Sequence, residues 1–223
     1  MGVGKTIEPS DLAFDIDGVV ADTMAVFVKL AHERYGFTWL TKEDLRRYDL
    51  HACLKVAPEI VDELICMTLD DEHTRQIPPM HGAAEVLTDL AGYGPLRFVT
   101  ARIWPESIIG WLHRTLPDVA SSRIEVYATG HPEAKFSILK ELKVQYFLED
   151  RVETCEHLSH NGIQPLLFDQ PWNRVPEAGV FPRIENWAQL GHLVGELGRH
   201  GDAGTRRHGE REIARWRDRE AGK

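Results

Sequence analysis

The chain has 223 residues, 43% of them hydrophobic and 27% charged, with a net charge of −9. That length supports a substantial core and fits one core domain plus an insertion better than two domains. The acidic balance argues against non-specific nucleic-acid binding, and no apolar run approaches the roughly 20 residues of a membrane span.

Met1 to Pro9 carries no apolar signal-peptide core. The three cysteines, Cys53, Cys66 and Cys155, are scattered without a CxxC pair. A reducing, cytoplasmic setting and no zinc site are therefore expected. Gly2-Val3-Gly4-Lys5-Thr6 ends like a phosphate-binding loop, but the first glycine of that motif is missing and no strand precedes it.

The first predicted strand is Leu12 to Phe14, an apolar run that ends in Asp15-Ile16-Asp17-Gly18. Two carboxylates at a strand end repel by roughly 4 kcal/mol at about 4 Å and an effective dielectric of ~20. A bound Mg²⁺, which prefers oxygen ligands, would turn that repulsion into attraction. Asp15 is then a candidate nucleophile and Asp17 a candidate acid and base. A plain strand-to-turn junction is the competing reading, since Asp and Gly are ordinary turn residues. A calcium loop of the EF-hand kind fails, because Val19 and Val26 stand where acids are needed.

Residues 22–79 show helical patterns only: Asp22 to Tyr35, Thr41 to Tyr48 with Thr41 and Asp44 as an N-cap signal, and Pro58 to Arg75. So long a stretch predicts a helical insertion over the active end of a sheet, with Pro78-Pro79 marking its return. Its aromatics Phe27, Tyr35, Trp39 and Tyr48 are candidates either for the insertion's own core or for stacking on a substrate.

Beyond it, strands and helices alternate. The strands are Leu96 to Val99, Ile124 to Tyr127, Gln145 to Leu148 and Pro165 to Phe168. The helices are Gly82 to Ala91, Glu106 to Arg114, Glu133 to Leu142 and Val152 to Asn161. This order predicts βαβ units and a parallel sheet covered on both faces, with the ligand at the C-terminal ends of the strands. Thr100 and Arg102 follow the second strand, the first a hydroxyl donor and the second a planar fork suited to phosphate. Lys135 opens a later helix and can balance a nucleophile's charge, with Lys140 and Lys143 as rivals further from the strand end. Glu149 and Asp150 tip the fourth strand with acids, as Asp15 and Asp17 tip the first. His157 and His160 lack an evident third metal ligand. Residues 201–223 carry seven basic and five acidic side chains and read as a solvated tail.

In the order Asp15-Ile16-Asp17-Gly18-Val19, Thr100, Lys135 and Glu149-Asp150, the chain resembles the haloacid dehalogenase-like hydrolase superfamily. The resemblance spans roughly Asp11 to Asp169. It implies a Rossmann-like three-layer α/β core from residues 1–21 and 80–200, and its C1-type cap is similar to the helical stretch 22–79. It implies Mg²⁺ held by Asp15, the backbone carbonyl of Asp17 and Asp150, with Glu149 assisting. It also implies attack of Asp15 on phosphorus to give an aspartyl-phosphate, Asp17 as acid and then base, and Thr100 and Lys135 as neutralisers of the phosphoryl oxygens. Dehalogenases of this superfamily lack the second aspartate, so Asp17 points to phosphoryl transfer. Members often carry a further acid four residues beyond the last pair; here Glu153 stands at three and is given no role.

The stretches around Asp15 and Asp169-Gln170-Pro171-Trp172-Asn173 look similar to 5′(3′)-deoxyribonucleotidase-like members. Nucleoside monophosphates are thus the first substrate class and phosphosugars the second, with Arg102, Trp39 and Tyr48 as substrate contacts. A phosphomutase of the same fold and a non-catalytic binding module are the rival readings. A homo-oligomer is compatible with the sequence.

Overall fold

The computed structural model describes residues 7–195. The charged stretch 201–223 and the Gly2-to-Thr6 run lie outside the described residues. Six parallel strands form one sheet in the order β3-β2-β1-β4-β5-β6. They are β1 (Leu12–Phe14), β2 (Leu96–Thr100), β3 (Ile124–Ala128), β4 (Tyr146–Glu149), β5 (Gln164–Phe168) and β6 (Arg183–Ile184). The five predicted strands are present. The sixth went unpredicted because two residues are too short to show a period.

The central strands are apolar because both sheet faces are covered. Leu12, Ala13 and Phe14 of β1 are buried, as are Phe147, Leu148 and Glu149 of β4. Phe14 packs on Phe98 and Trp187 on one face, while Ala13 and Phe147 join Val99 and Leu139 on the other. Chain order reverses between β1 and β4, where an α/β sheet opens a crevice at its C-terminal edge. Phe14 pairs with Leu148, and the Asp15 N–H donates to the Leu148 carbonyl at 2.9 Å. Asp15 and Glu149 are thereby brought together by strand register alone.

Between β1 and β2 the chain forms α1 (Thr23–Tyr35), α2 (Pro58–Leu69), α3 (Asp71–Thr74) and α4 (Ala83–Ala91). Asp22 caps α1 by accepting from the Ala25 N–H at 3.3 Å, and Gly36 ends it in the left-handed region at φ 67°. Two predicted helices are corrected. Thr41 to Tyr48 is not an α-helix: the Thr41–Asp44 capping box is there, but it closes only a three-residue 3₁₀ turn. Leu45 is buried while its neighbours Arg46, Arg47 and Tyr48 are exposed, so no apolar stripe continues the turn. Pro58 to Arg75 is two helices, because Asp70 adopts an extended conformation (ψ 167°) and caps α3 through the His73 N–H at 2.7 Å.

The remaining helices are α5 (Glu106–Thr115), α6 (Lys135–Glu141), α7 (Val152–His160) and α8 (Trp187–Gly195). Helix α8 was not predicted, yet its first residue is fully buried and its indole N–H donates to the Val19 carbonyl at 2.9 Å. The far end of the chain thus clamps the loop that carries Asp17. Among the described residues no helix is long and apolar enough to cross a membrane.

Candidate active site

The candidate residues gather at the C-terminal ends of β1, β2 and β4, joined by Lys135 from the first turn of α6, which follows β3. The turn after β1 is tight: the Ile16 carbonyl accepts from the N–H groups of Val19, Val20 and Ala21. Gly18 adopts φ 78°, and a Cβ there would fall 2.2 Å from Asp150 Oδ2. Only glycine allows both the dihedral and the close approach of the two acid-bearing turns.

Asp15, Glu149 and Asp150 each offer an oxygen to one cluster in which all the oxygens lie within 4.8 Å of one another. All three residues are buried, at 6%, 1% and 4% exposure. Lys135 Nζ reaches Asp15 Oδ2 at 2.9 Å and Glu149 Oε2 at 2.8 Å. Glu149 Oε1 also accepts from the N–H groups of Asp150 and Arg151, both at 3.1 Å. Burial is the largest influence on each carboxyl and raises its pKa. Lys135 and these hydrogen bonds overcome it at Glu149, which stays below its usual value. For Asp15 and Asp150, burial and then the Glu149 charge prevail and push both well above the carboxylate norm. The pair of carboxylates holds Lys135 firmly protonated against burial.

This charge pattern tests the fit of a cation. Three carboxylates face one ammonium, leaving two negative charges uncompensated when all are ionised, which matches a divalent ion. The donors are all oxygen, the preference of Mg²⁺. An all-protein cage is not required, since Mg²⁺ keeps several waters. The residues present therefore fit the group.

Asp17 stands apart from the cluster. Arg102 grips it with a fork, Nε to Oδ2 and Nη2 to Oδ1, both at 2.8 Å, and Thr23 Oγ1 donates to Oδ1 at 2.5 Å. Although burial works the other way, the Arg102 charge and these hydrogen bonds hold Asp17 below the usual carboxylate range. The third nitrogen of Arg102, Nη1, donates to Thr74 Oγ1 at 2.8 Å. The sequence suggested a phosphate fork at Arg102; in the structure its guanidinium bonds Asp17 and Thr74. Thr100 is buried at the end of β2, where its Oγ1 accepts from the Arg102 N–H at 3.2 Å.

Sequence reasoning gave no mechanical role to the segment after β5. Trp172 Nε1 donates to Asp150 Oδ2 at 2.8 Å, Asn173 Nδ2 to the Asp150 carbonyl at 2.8 Å, and Gln170 Nε2 to the Gly18 carbonyl at 2.6 Å. Asp169, paired with Arg174 at 2.9 Å and with Arg183, anchors that segment. The signal available in the sequence was an apolar strand followed closely by three side-chain donors, Gln170, Trp172 and Asn173, at the active edge.

Above the acids lies a cavity of about 260 Å³. Its floor includes Asp15, Asp17, Thr100, Arg102 and Lys135, and its opposite wall includes Met24, Leu50, Ile65, Leu69 and Tyr48. Tyr48 lines it with the Arg151 guanidinium 4.9 Å from its ring centre. Local burial and then the Asp150 and Glu149 charges raise its phenol's pKa. Trp39 does not line the cavity; it packs on Phe37 at 6.0 Å. Phe27 is core, and Tyr35 donates to Glu63 at 2.7 Å. Lys140 lies over the Phe136 ring, away from the acids, and Glu153 pairs with Arg151 at 3.3 Å.

Residues 9–198 match the family described as 5′ nucleotidase, deoxy (pyrimidine), cytosolic type C. The chain belongs to that family. As a member of this nucleotidase family it is a phosphatase of the haloacid dehalogenase-like superfamily, as the ordered motifs implied. A curated protein of Halalkalibacterium halodurans, whose name provisionally makes it a nucleotidase, is 27% identical over 187 residues, covering 82% of this chain and 91% of its own. Solved structures share the fold at low identity. A haloacid dehalogenase-like hydrolase from Streptococcus pneumoniae has a TM-score of 0.57 at 12% identity, covering 80% of this chain and 95% of its own. A superfamily hydrolase from Bacillus subtilis, solved with magnesium bound, has a TM-score of 0.55 at 16% identity, covering 85% and 99%.

Proposed function

We propose that this nucleotidase-family phosphatase hydrolyses a nucleoside monophosphate, with Asp15 as the nucleophile and Mg²⁺ as its cofactor. The observation that carries the reading is the buried acid cluster with Lys135 at its side, in a cavity whose lining also includes the apolar side chains Met24, Leu50, Ile65 and Leu69. Asp15, Asp150 and Glu149 would hold Mg²⁺, together with the Asp17 backbone carbonyl. Bound there, the ion neutralises charge on the phosphoryl group.

In this reading Asp15 attacks phosphorus in line: its oxygen bonds to phosphorus as the ester oxygen departs, giving an aspartyl-phosphate. Asp17 protonates the departing oxygen. It then takes a proton from the water that hydrolyses the intermediate. Lys135 and the Thr100 hydroxyl stabilise charge on the non-bridging oxygens. The bidentate fork suits Asp17 to the second step, where a carboxylate is wanted. In the first step Asp17 must carry a proton, so the grip of Arg102 has to loosen and re-form within each cycle.

Residues 22–79 act in this reading as a cap that supplies the apolar wall and Tyr48, with the remainder as the core. A nucleoside fits that wall better than a sugar does, because a base presents an apolar face. The cytosolic description of the family supports a cytoplasmic location. Phosphate release is to be measured across nucleoside and sugar monophosphates with Mg²⁺ and with EDTA. Metal-dependent hydrolysis that favours nucleotides is the expected result. Undiminished hydrolysis in chelator would sink the metal assignment, and a sugar phosphate as the best substrate would sink the nucleotide one.

A further inference from the structure

We infer that Arg102 is a positioning residue that ties the orientation of Asp17 to the seat of the helical segment, through Thr74, and is not a phosphate ligand. The inference rests on the phosphatase reading and deepens it. Three observations carry it.

First, the guanidinium is already committed. Arg102 is 7% exposed, and its Nε and Nη2 engage both oxygens of Asp17 while Nη1 engages Thr74. An arginine meant to capture an incoming phosphate would present its fork to the cavity, since bidentate geometry is what makes arginine selective for that group. Here the fork's face is filled by a carboxylate.

Second, Arg102 fixes both oxygens of Asp17. Thr23 adds one donor to Oδ1, from the first turn of α1. A carboxylate held by three donors has one orientation, and proton transfer requires its oxygen within hydrogen-bond reach of the proton it moves. Lysine in place of Arg102 would keep a positive charge but not a planar grip on two oxygens.

Third, Thr74 reports on the helical segment. It is fully buried at the C-terminal end of α3, the last helical turn before the chain returns to the core. The return is fixed by antiparallel pairing of Ala21 with Pro79, by the Asp22 N–H on the Pro78 carbonyl and by the Met80 N–H on the Val20 carbonyl. Trp111 Nε1 donates to the Ile77 carbonyl at 2.8 Å and holds the same stretch from α5. A shift of α3 moves Thr74 Oγ1, and the arginine between them transmits that shift to Asp17. Asp17 is held as the carboxylate that takes the proton from water only when α3 sits where it does here.

The test uses Arg102→Lys and Thr74→Val in the full chain, with p-nitrophenyl phosphate and the best nucleotide substrate. Nitrophenolate leaves without needing a proton, so loss of Asp17 function slows mainly the attack of water on the intermediate. Arg102→Lys is expected to lower kcat about 100-fold, the scale of one acid–base group. For p-nitrophenyl phosphate KM should fall in step with kcat, because slow hydrolysis of the intermediate lowers both and leaves kcat/KM near the wild-type value. It should also give a burst of nitrophenolate near one per enzyme followed by slow turnover. Thr74→Val, which keeps the volume and removes one hydrogen bond, should lower kcat about 3- to 10-fold, with a melting temperature lowered by a few degrees as the buried Arg102 donor loses its partner. A raised KM with kcat preserved in Arg102→Lys would make Arg102 a substrate ligand and overturn the inference. So would full activity in a stably folded Thr74→Val, whatever the fate of the arginine variant. Wild-type protein without Mg²⁺-dependent hydrolysis would instead overturn the phosphatase reading, and this inference with it; normal wild-type turnover confines any failure to Arg102.

Discussion

The turns after β1 and β4 and the helical segment facing them meet across one cavity, but they are built differently. On the sheet side, each acid has a named partner at 2.5–3.2 Å: Lys135 for Asp15, two N–H groups for Glu149, Trp172 for Asp150, and Arg102 and Thr23 for Asp17. On the helical side, Met24, Leu50, Ile65 and Leu69 make an apolar stretch of the lining, and Thr23, at the start of α1, is a lining residue that bonds an acid. The surface ion pair from that segment to the core, Glu43–Arg174 at 3.0 Å, joins side chains that are 69% and 50% exposed, a kind that contributes little. Directional bonds fix where a phosphoryl group reacts. An apolar wall grades what is attached to it.

The sharpest way to break this division is Asp15→Asn. It removes the proposed nucleophile, so kcat should fall at least about 1,000-fold. It also removes a buried charge whose pKa is raised by burial and by Glu149, so the metal-free variant should melt at or above the wild-type temperature. Large loss of both activity and stability would mean that Asp15 is structural.

Next in size is the effect of pH and metal on stability. Asp15 and Asp150 have raised folded pKa values, so the folded state binds protons more readily than the unfolded one. Without metal, stability should therefore fall as pH climbs from about 4, the unfolded carboxyl value, through the raised folded values. Asp17 and Glu149 are lowered and act in the opposite sense below that window, where stability is lost as pH falls. Added Mg²⁺ should raise the melting temperature near pH 7.5 by a few degrees and flatten the neutral slope; at 100-fold excess over its Kd the gain is about 2.7 kcal/mol. Thermal melts at pH 5, 6.5 and 8 with and without Mg²⁺ decide it, and a metal-free protein most stable at pH 8 would contradict the charge pattern.

The smallest effects belong to the helical side. Tyr48→Ala should shift preference between a nucleotide and p-nitrophenyl phosphate by about tenfold in kcat/KM, because only the larger substrate reaches that wall. Trp39→Ala should leave the ranking unchanged. The two aromatics are almost equally exposed, at 50% and 54%, but only Tyr48 lines the cavity. An equal change for both would erase the distinction.

The same division explains what could be read from the chain. Asp15, Glu149 and Asp150 were legible because strand order and the spacing of acids at strand ends dictate their meeting. Tyr48 and Trp39 were not separable, since both are aromatics on irregular chain between α1 and α2, where no period says which way a side chain faces. The partners of Arg102 were not legible because they come from 85 and 28 residues away; the fork is visible in sequence, its occupant is not. Trp172 could be seen at the active edge, but its bond to Asp150 depends on a turn anchored by Arg174 and Arg183.

The register of β1 against β4 has a consequence for anyone who rearranges this chain. Phe14 pairs with Leu148, and a strand advances about 3.3 Å per residue. Inserting or deleting a single residue in either strand would move one acid past its counterpart by more than the length of a metal–oxygen bond, and would turn every side chain of that strand to the opposite face. The seam between β1 and β4 is thus the part of the sheet where length variation is forbidden. The loop entering β3, an outermost strand, can vary without disturbing it, whereas the loop entering β6 carries Trp172 and Asn173, which bond Asp150. Domain grafts, circular permutations and recombination libraries should place their junctions in the loop entering β3.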